Sequence, residues 1–144
     1  MVRLIGFIAL LVVPALDFRF GWSAVPLGGI VTVDVLVLTG FYFIFLVYRE
    51  NTFASATIEV AKNQQVIATG PYAIVRHPMY ASALIYLFGI PLALGSYWGL
   101  VVLGAMIPFL LWRLFEEERF LAKNLTGYME YQQRVKYRLV PFVW

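Results

Sequence analysis

The sequence predicts an all-α integral membrane fold of about four transmembrane helices that includes a C-terminal helical hairpin. Three observations predict it. Hydrophobic residues make up 62% of the chain and charged residues 13%, and the mean hydropathy is +0.80, outside the range of ordinary soluble domains. The apolar residues gather into four runs separated by one substantial polar loop and two short turns. The last two runs are joined by Gly95-Ser96, a connection so short that the helices must return antiparallel.

The first run, Leu4 to Leu16, covers only roughly 20 Å at ~1.5 Å per residue. It spans a layer of about 30 Å only with help from flanking residues or a local thinning. Pro14-Ala15-Leu16-Asp17 reads as the end of this helix, and no small-residue cleavage pattern marks it as a removed signal. The second run, Val25 to Tyr48, is long enough to span with some tilt, and Phe41, Tyr42, Phe43, Phe45 and Tyr48 place amphipathic rings toward one end. The third and fourth, Met79 to Leu94 and Tyr97 to Trp112, carry Pro91 and Pro108, which should loosen or kink them. Gly95 and Gly99 have a GxxxG spacing, but the pair straddles the turn and serves the tight connection.

At 144 residues the chain is read as one membrane-embedded domain, 1–144, with too little polar sequence for a separate soluble module. Cysteine is absent, which excludes disulfides, thiolate metal sites and a cysteine nucleophile; with His77 the single histidine, no metal site is expected. A net charge of +3 is too small to suggest nucleic-acid binding, and the basic residues adjoin apolar runs, where anionic membrane lipids attract them. Arg49, Lys62 and Arg76 lie in the central loop, and Arg113, Arg119, Lys123, Arg134, Lys136 and Arg138 follow the hairpin, whereas only Arg19 lies in the opposite connections. With four crossings, both termini and the central loop are then expected on the cytoplasmic side.

Asp34, about ten positions into the clearest spanning helix, stands out because a buried carboxylate in hydrocarbon needs a polar partner or a function. Structural pairing with Thr32, Thr39 or a tyrosine is favoured over substrate contact.

Polar chemistry concentrates in two places. The first is Gly70 to Tyr80, just before the hairpin, where His77 reads as the N-cap and Pro78 as the first helical residue. The N–H groups of Met79 and Tyr80 then face the loop without intrahelical partners, and with Arg76 they suit a carboxylate or phosphate. A lipid-headgroup anchor with a plain helix cap accounts equally well for the same residues. The second place is Arg113, Glu116, Glu117, Glu118 and Arg119, on the continuation of the last helix. Arg113 and Glu117, four apart, share a face and can pair, while Glu116 and Glu118 turn about 100° to either side. Taken alone, a solvated helix end balanced by arginines is the simpler account of that cluster.

The combination is more specific than either part. Thr69-Gly70-Pro71-Tyr72 and Arg76-His77-Pro78-Met79-Tyr80, followed by Glu117-Glu118-Arg119-Phe120-Leu121, Gly127-Tyr128, Tyr131 and Arg134-Val135, resemble the isoprenylcysteine carboxyl methyltransferase family and related phospholipid methyltransferases. The resemblance covers Thr57 to Trp144, with familiar features upstream at Phe20-Gly21-Trp22-Ser23 and Arg49-Glu50-Asn51. It implies packed membrane helices with a cytoplasmic pocket closed by the central loop, the hairpin start and the tail. It also implies S-adenosylmethionine as cofactor, contacted by Gln64, Gln65, Val66, Ile67, Tyr72, His77, Pro78, Met79, Tyr80 and Glu117, with Arg113 facing the methyl acceptor. Arg113 and Glu117 would thus be the catalytic pair. Gln64 stands where many relatives have histidine, and Ala61 where many have glutamine, which puts the polar contact at Ala61 in doubt.

The residues agree with what that ligand needs. An open helix N-terminus suits a carboxylate, Tyr72 or Tyr80 can stack on a ring or face a cation, and Glu117 can accept hydrogen bonds. Methyl transfer asks mainly for alignment and exclusion of water, so the lack of a nucleophilic cysteine and of a GxGxxG loop is no obstacle. The expected function is methyl transfer to a lipophilic or membrane-associated acceptor, such as a prenylcysteine-type carboxylate or a thiol. The alternatives are an NADPH-dependent sterol or steroid-type reductase and a non-enzymatic membrane scaffold. Oligomeric state is left open by the sequence.

Overall fold

A computed structural model describes residues 2–54 and 58–144; Thr57, the first residue of the stretch that carries the resemblance, lies outside the described residues. Among them the regular structure is helical: α1 (Val2–Phe20), α2 (Leu27–Glu50), a 3-10 turn (Gly70–Ala73), α3 (Pro78–Ala93), α4 (Trp98–Asn124) and α5 (Tyr128–Arg134). Two of these, α2 with 24 residues and α4 with 27, are long and apolar enough to cross a membrane. The 16 residues of α3 are apolar but fewer.

α1 corrects the sequence reading. It does not stop at Pro14-Ala15-Leu16-Asp17 but continues to Phe20, with Pro14 inside it. The polar groups that suggested an end are satisfied within the fold. Asp17 is buried, and its carboxylate accepts hydrogen bonds from the Ser23 N–H at 2.6 Å, from Ser23 Oγ at 2.5 Å and from Ser96 Oγ.

The chain divides into two compact units, one of residues 1–41 and 83–110, the other of residues 42–82 and 111–144. The first contains α1, the start of α2 and the hairpin of α3 and α4. Its core gathers Leu10, Leu87 and Leu103, with Tyr86, Ile90, Val102 and Leu110 packed against them. Its outer surface is apolar, with Leu11, Val31, Leu38, Val101 and Phe109 exposed. In lipid, burial of apolar surface no longer drives helices together, so close packing of small residues must do more. The glycines fit that demand: a Cβ on Gly99 would lie 2.2 Å from Pro91 Cβ, and one on Gly40 would lie 2.9 Å from the Tyr86 backbone nitrogen. Gly99 therefore serves the hairpin, as its place beside the Gly95 turn suggests, where φ is +78°.

Asp17 ties this unit together at its loops. Ser23 Oγ also accepts from the Tyr97 N–H at 3.1 Å, and Ser96 Oγ accepts from the Gly99 N–H at 3.3 Å, so the carboxylate anchors both hydroxyls that meet the start of α4. Asp17→Ala should lower the melting temperature in detergent clearly, because both serines lose their acceptor. Asp17→Asn should fall between that variant and the wild type, since an amide cannot accept all three bonds. Equal melting temperatures for all three proteins would rule out the anchor.

Asp34 departs from expectation. It is exposed on α2 and has no partner among the described residues, because Thr32 Oγ1 donates to the Gly28 carbonyl at 2.9 Å and Thr39 Oγ1 to the Val35 carbonyl at 2.7 Å. Both threonines satisfy themselves one turn back on their own helix, as such residues do in apolar surroundings.

The second unit joins the end of α2, the central loop, the start of α3, the end of α4, α5 and the tail. Leu125, Tyr128, Tyr131 and Val135 form its core, with Val60, Val66, Ala68 and Leu121 against them. The tail pairs with the loop before α3: the Arg76 N–H donates to the Tyr137 carbonyl and the His77 N–H to the Arg138 carbonyl, each at 2.9 Å.

Candidate functional site

All the residues that the sequence assigns to cofactor and acceptor fall in this second unit. α3 begins at Pro78, and the Ala81 N–H donates to the His77 carbonyl at 3.1 Å, so His77 stands at the N-cap as its sequence position predicts. Just upstream, Gly70 has a φ of +54°, and a Cβ there would lie 2.9 Å from the Glu50 carboxyl carbon. That approach lets Thr69 Oγ1 donate to Glu50 Oε1 and fixes the 3-10 turn against the end of α2. Asn51 Nδ2 donates to Tyr72 Oη at 2.9 Å, and Tyr131 Oη donates to the Tyr72 carbonyl at 2.8 Å. Burial raises the Tyr72 phenol above its ordinary pKa against the opposing Asn51 bond, and burial raises Tyr131 and Tyr128 as well. These hydroxyls are neutral across the physiological range.

The centre of the unit is a residue that the sequence reading passed over. Glu118 is buried and receives His77 Nε2 at 3.1 Å on Oε1 and Arg138 Nε at 3.0 Å on Oε2. Arg76 Nε lies 2.9 Å from Oε1, an ion-pair contact without hydrogen-bond geometry. Burial alone would push the Glu118 carboxyl up; the bonds from His77 and Arg138 and the nearby charge of Arg76 outweigh it and hold the carboxyl below its ordinary value. Glu118 sits beyond the apolar run of α4, which ends at Trp112. Arg76 is therefore neutralised by Glu118 instead of standing open beside the α3 N-terminus.

A signal for Glu118 was present. It lies four residues after Leu114, three before Leu121 and seven before Leu125, so it falls on the stripe that packs inward. An acidic residue on that stripe needs polar partners, and Arg76, His77 and Arg138 supply them from two separated stretches. Nothing local in the sequence joins those stretches.

The neighbouring carboxylates differ. Glu116 pairs with Arg119 at 2.7 Å, with both side chains substantially exposed. Glu117 Oε2 accepts a hydrogen bond from Tyr80 Oη at 2.7 Å, and the Arg113 guanidinium also bonds the Tyr80 hydroxyl. Arg113, Tyr80 and Glu117 are all half-buried. The expected face shared by Arg113 and Glu117 is thus occupied by a phenol that touches both.

The remaining predicted contacts are spread along the loop. Gln64 Oε1 accepts from the Ala61 N–H at 2.8 Å and closes a turn in which Asn63 has a φ of +63°. Gln65 is exposed, Ile67 is half-buried, Val66 packs on the Tyr128 and Tyr131 core, Pro78 is buried and Met79 is half-buried. Tyr128 Oη is buried without a partner among the described residues. An open groove of 320 Å³ in the same unit is lined by Ala73, Ile74, Arg134, Lys136, Tyr137 and Phe142, and includes none of the predicted cofactor residues.

Comparison with curated proteins and with solved structures gives no match. The family described as phospholipid methyltransferase matches residues 29–126, about two thirds of the chain. The match takes in α2, which the sequence motifs touched only at its end, and stops before α5 and the tail, to which the resemblance had extended. With the His77–Pro78 cap, the Tyr80–Glu117 bond and two helices fit to cross a bilayer, the chain belongs to the phospholipid methyltransferase family, the family of isoprenylcysteine carboxyl methyltransferase-like membrane methyltransferases.

Proposed function

We propose that this protein transfers a methyl group from S-adenosylmethionine to a lipophilic, membrane-associated acceptor. The observation that carries the reading is the Arg113–Tyr80–Glu117 contact where α4 turns from apolar to charged. It puts a cation, a phenol and a carboxylate together at a half-buried point beside the start of α3. The available groups suit the cofactor: Glu117 retains acceptor capacity for hydroxyl or ammonium donors, Tyr72 and Tyr80 offer ring faces, and the first N–H groups of α3 suit a carboxylate. Tyr128 Oη, buried and unpartnered, is one further polar atom in the same unit. His77 contributes through the Glu118 network, which holds the first turn of α3 in place.

The cofactor supplies an electrophilic methyl group on a sulfonium, a good leaving group. The protein's share is alignment and exclusion of water. Glu117, bonded to Tyr80, faces the cofactor side, and Arg113 orients an acceptor carboxylate or thiolate from the membrane side. A prenylcysteine-type carboxylate arrives ionised and needs no base. The family description raises a second acceptor, a phospholipid amine, which must lose a proton, and Glu117 is the base within reach. α1 and α3 are read as further crossings beside α2 and α4, which with the lysine and arginine distribution puts the termini and the central loop on the cytoplasmic side.

Isothermal titration of the purified protein with S-adenosylmethionine and with NADPH tests the reading. Saturable binding of the first alone is expected; binding of NADPH alone would replace the proposal with a reductase. Labelled methyl transfer to a prenylcysteine analogue, a small thiol and phosphatidylethanolamine then separates the acceptors.

A further inference from the structure

The tail after α5 is built like a segment that lies among lipid headgroups. The apolar run of α4 ends at Trp112, and Phe115, three residues on, is only about 4.5 Å further along the helix. The Trp144 ring packs edge-on against Phe115 at 5.9 Å, and the Arg138 guanidinium lies 5.6 Å from the Phe115 ring and 5.3 Å from the Trp144 ring. The tail is thus held at the depth where a spanning helix leaves hydrocarbon, a level at which Trp and Tyr gather. Its apolar side chains suit that level and not water. Phe142 is 87% exposed and Val143 78%, and Ile74, which lines the open groove together with Phe142, is 57% exposed. Phe142 is held in this position by its ring contact with Tyr137 at 5.4 Å.

We propose that this groove takes an anionic phospholipid of the surrounding bilayer, its phosphate on Arg134 and Lys136 and its glycerol and upper acyl chain on Ile74 and Phe142. The groove holds 320 Å³, and pockets for small ligands begin at about 300 Å³. Its lining includes two cations and no carboxylate, and neither Arg134 nor Lys136 takes part in an ion pair among the described residues. Val135 between them is extended and buried, so both neighbours turn outward. Cations beside an apolar rim match the two ends of an acidic lipid at the membrane surface. A free anion would leave the apolar rim in water, and an acidic soluble protein would have to reach a level inside the headgroups. The inference rests on the chain lying in a bilayer and not on methyl transfer, because the groove includes none of the residues assigned to cofactor or acceptor.

The chain has no cysteine, so Val143→Cys, exposed and outside the groove lining, carries a single fluorophore in the full-length protein. In phosphatidylcholine liposomes, lipids brominated close to the glycerol should quench it. Brominated phosphatidylglycerol, added as a minor component, should associate about thirtyfold more strongly than brominated phosphatidylcholine, from about fivefold per cation. Arg134→Gln and Lys136→Gln should each lower that preference about fivefold and together bring it near one. Lys123→Gln, which removes an exposed cation outside the groove, should leave it unchanged, and millimolar inorganic phosphate should not displace the lipid. Flotation with the liposomes checks insertion itself, and a protein that fails to float would remove the membrane reading and the proposal with it. In a protein that floats, a label quenched by neither lipid, or equal association of the two lipids, would overturn the proposal. So would equal losses from Lys123→Gln and Lys136→Gln, which mark a diffuse charge effect, or release of the lipid by phosphate, which marks a free-anion site.

Discussion

Glu118→Ala is expected to lower stability by about 3 to 5 kcal/mol, enough to unfold the second unit in mild detergent. The carboxylate is buried, and its removal strands Arg76, itself buried, together with His77 and the part-exposed Arg138. Losing one partner of a buried charge cluster costs far more than the pair contributes, because the remaining ion keeps its desolvation penalty. The three consecutive glutamates make an internal control. Glu116→Ala breaks an exposed pair with Arg119 and should cost less than about 1 kcal/mol. Thermal melts of the two variants, read by tryptophan fluorescence, would refute the central role of Glu118 if they coincided. The same carboxylate sets a pH limit. Its folded pKa is depressed below the ordinary 4.5, so its contribution is complete above that value and is lost as pH falls through the depressed one. Acid melts of the wild type should therefore steepen below about pH 4.5, and Glu118→Gln should flatten that part of the curve.

Exchanging Arg113 and Glu117 is expected to abolish most activity, with no rescue in the double variant. An exposed ion pair of that spacing would contribute ~0 to 1 kcal/mol and tolerate reversal. Here both side chains meet on the Tyr80 hydroxyl, which donates to one and receives the other, so the positions are not equivalent. Arg113→Ala should raise the apparent KM chiefly for the acceptor and Glu117→Gln chiefly for S-adenosylmethionine, each on the order of tenfold to a hundredfold in kcat/KM. Tyr80→Phe, which leaves the ring but removes the contact with both, should lower kcat/KM for both substrates by less than either. Near-normal turnover by the swapped protein would return Arg113 and Glu117 to an ordinary surface pair.

The membrane class, the helical hairpin at Gly95-Ser96, the start of α3 at Pro78 and the family were legible in the sequence. Each depends on local or near-local patterns: hydropathy over about twenty residues, a turn too short for anything but reversal, a proline whose missing N–H fits one position, and two motifs in fixed order. The end of α1 was not legible, because Pro14 and Asp17 read as a stop until Ser23 and Ser96 are known to satisfy the carboxylate. Nor was the lack of a partner for Asp34 among the described residues, since Thr32 and Thr39 carry hydroxyls that pairing rules allow and that their own helix claims first. Glu118 is the clearest case. By sequence it was one of three equal carboxylates at a helix end, with Glu117 the one on the arginine face. Only the approach of residues 76–77, 118 and 138, far apart in the chain, made it the buried carboxylate that pairs with Arg76 and accepts from His77 and Arg138. Short-range chemistry fixes where helices begin and what they can touch next to themselves; which charge is taken out of water is decided by packing, because desolvation depends on neighbours that no local pattern names.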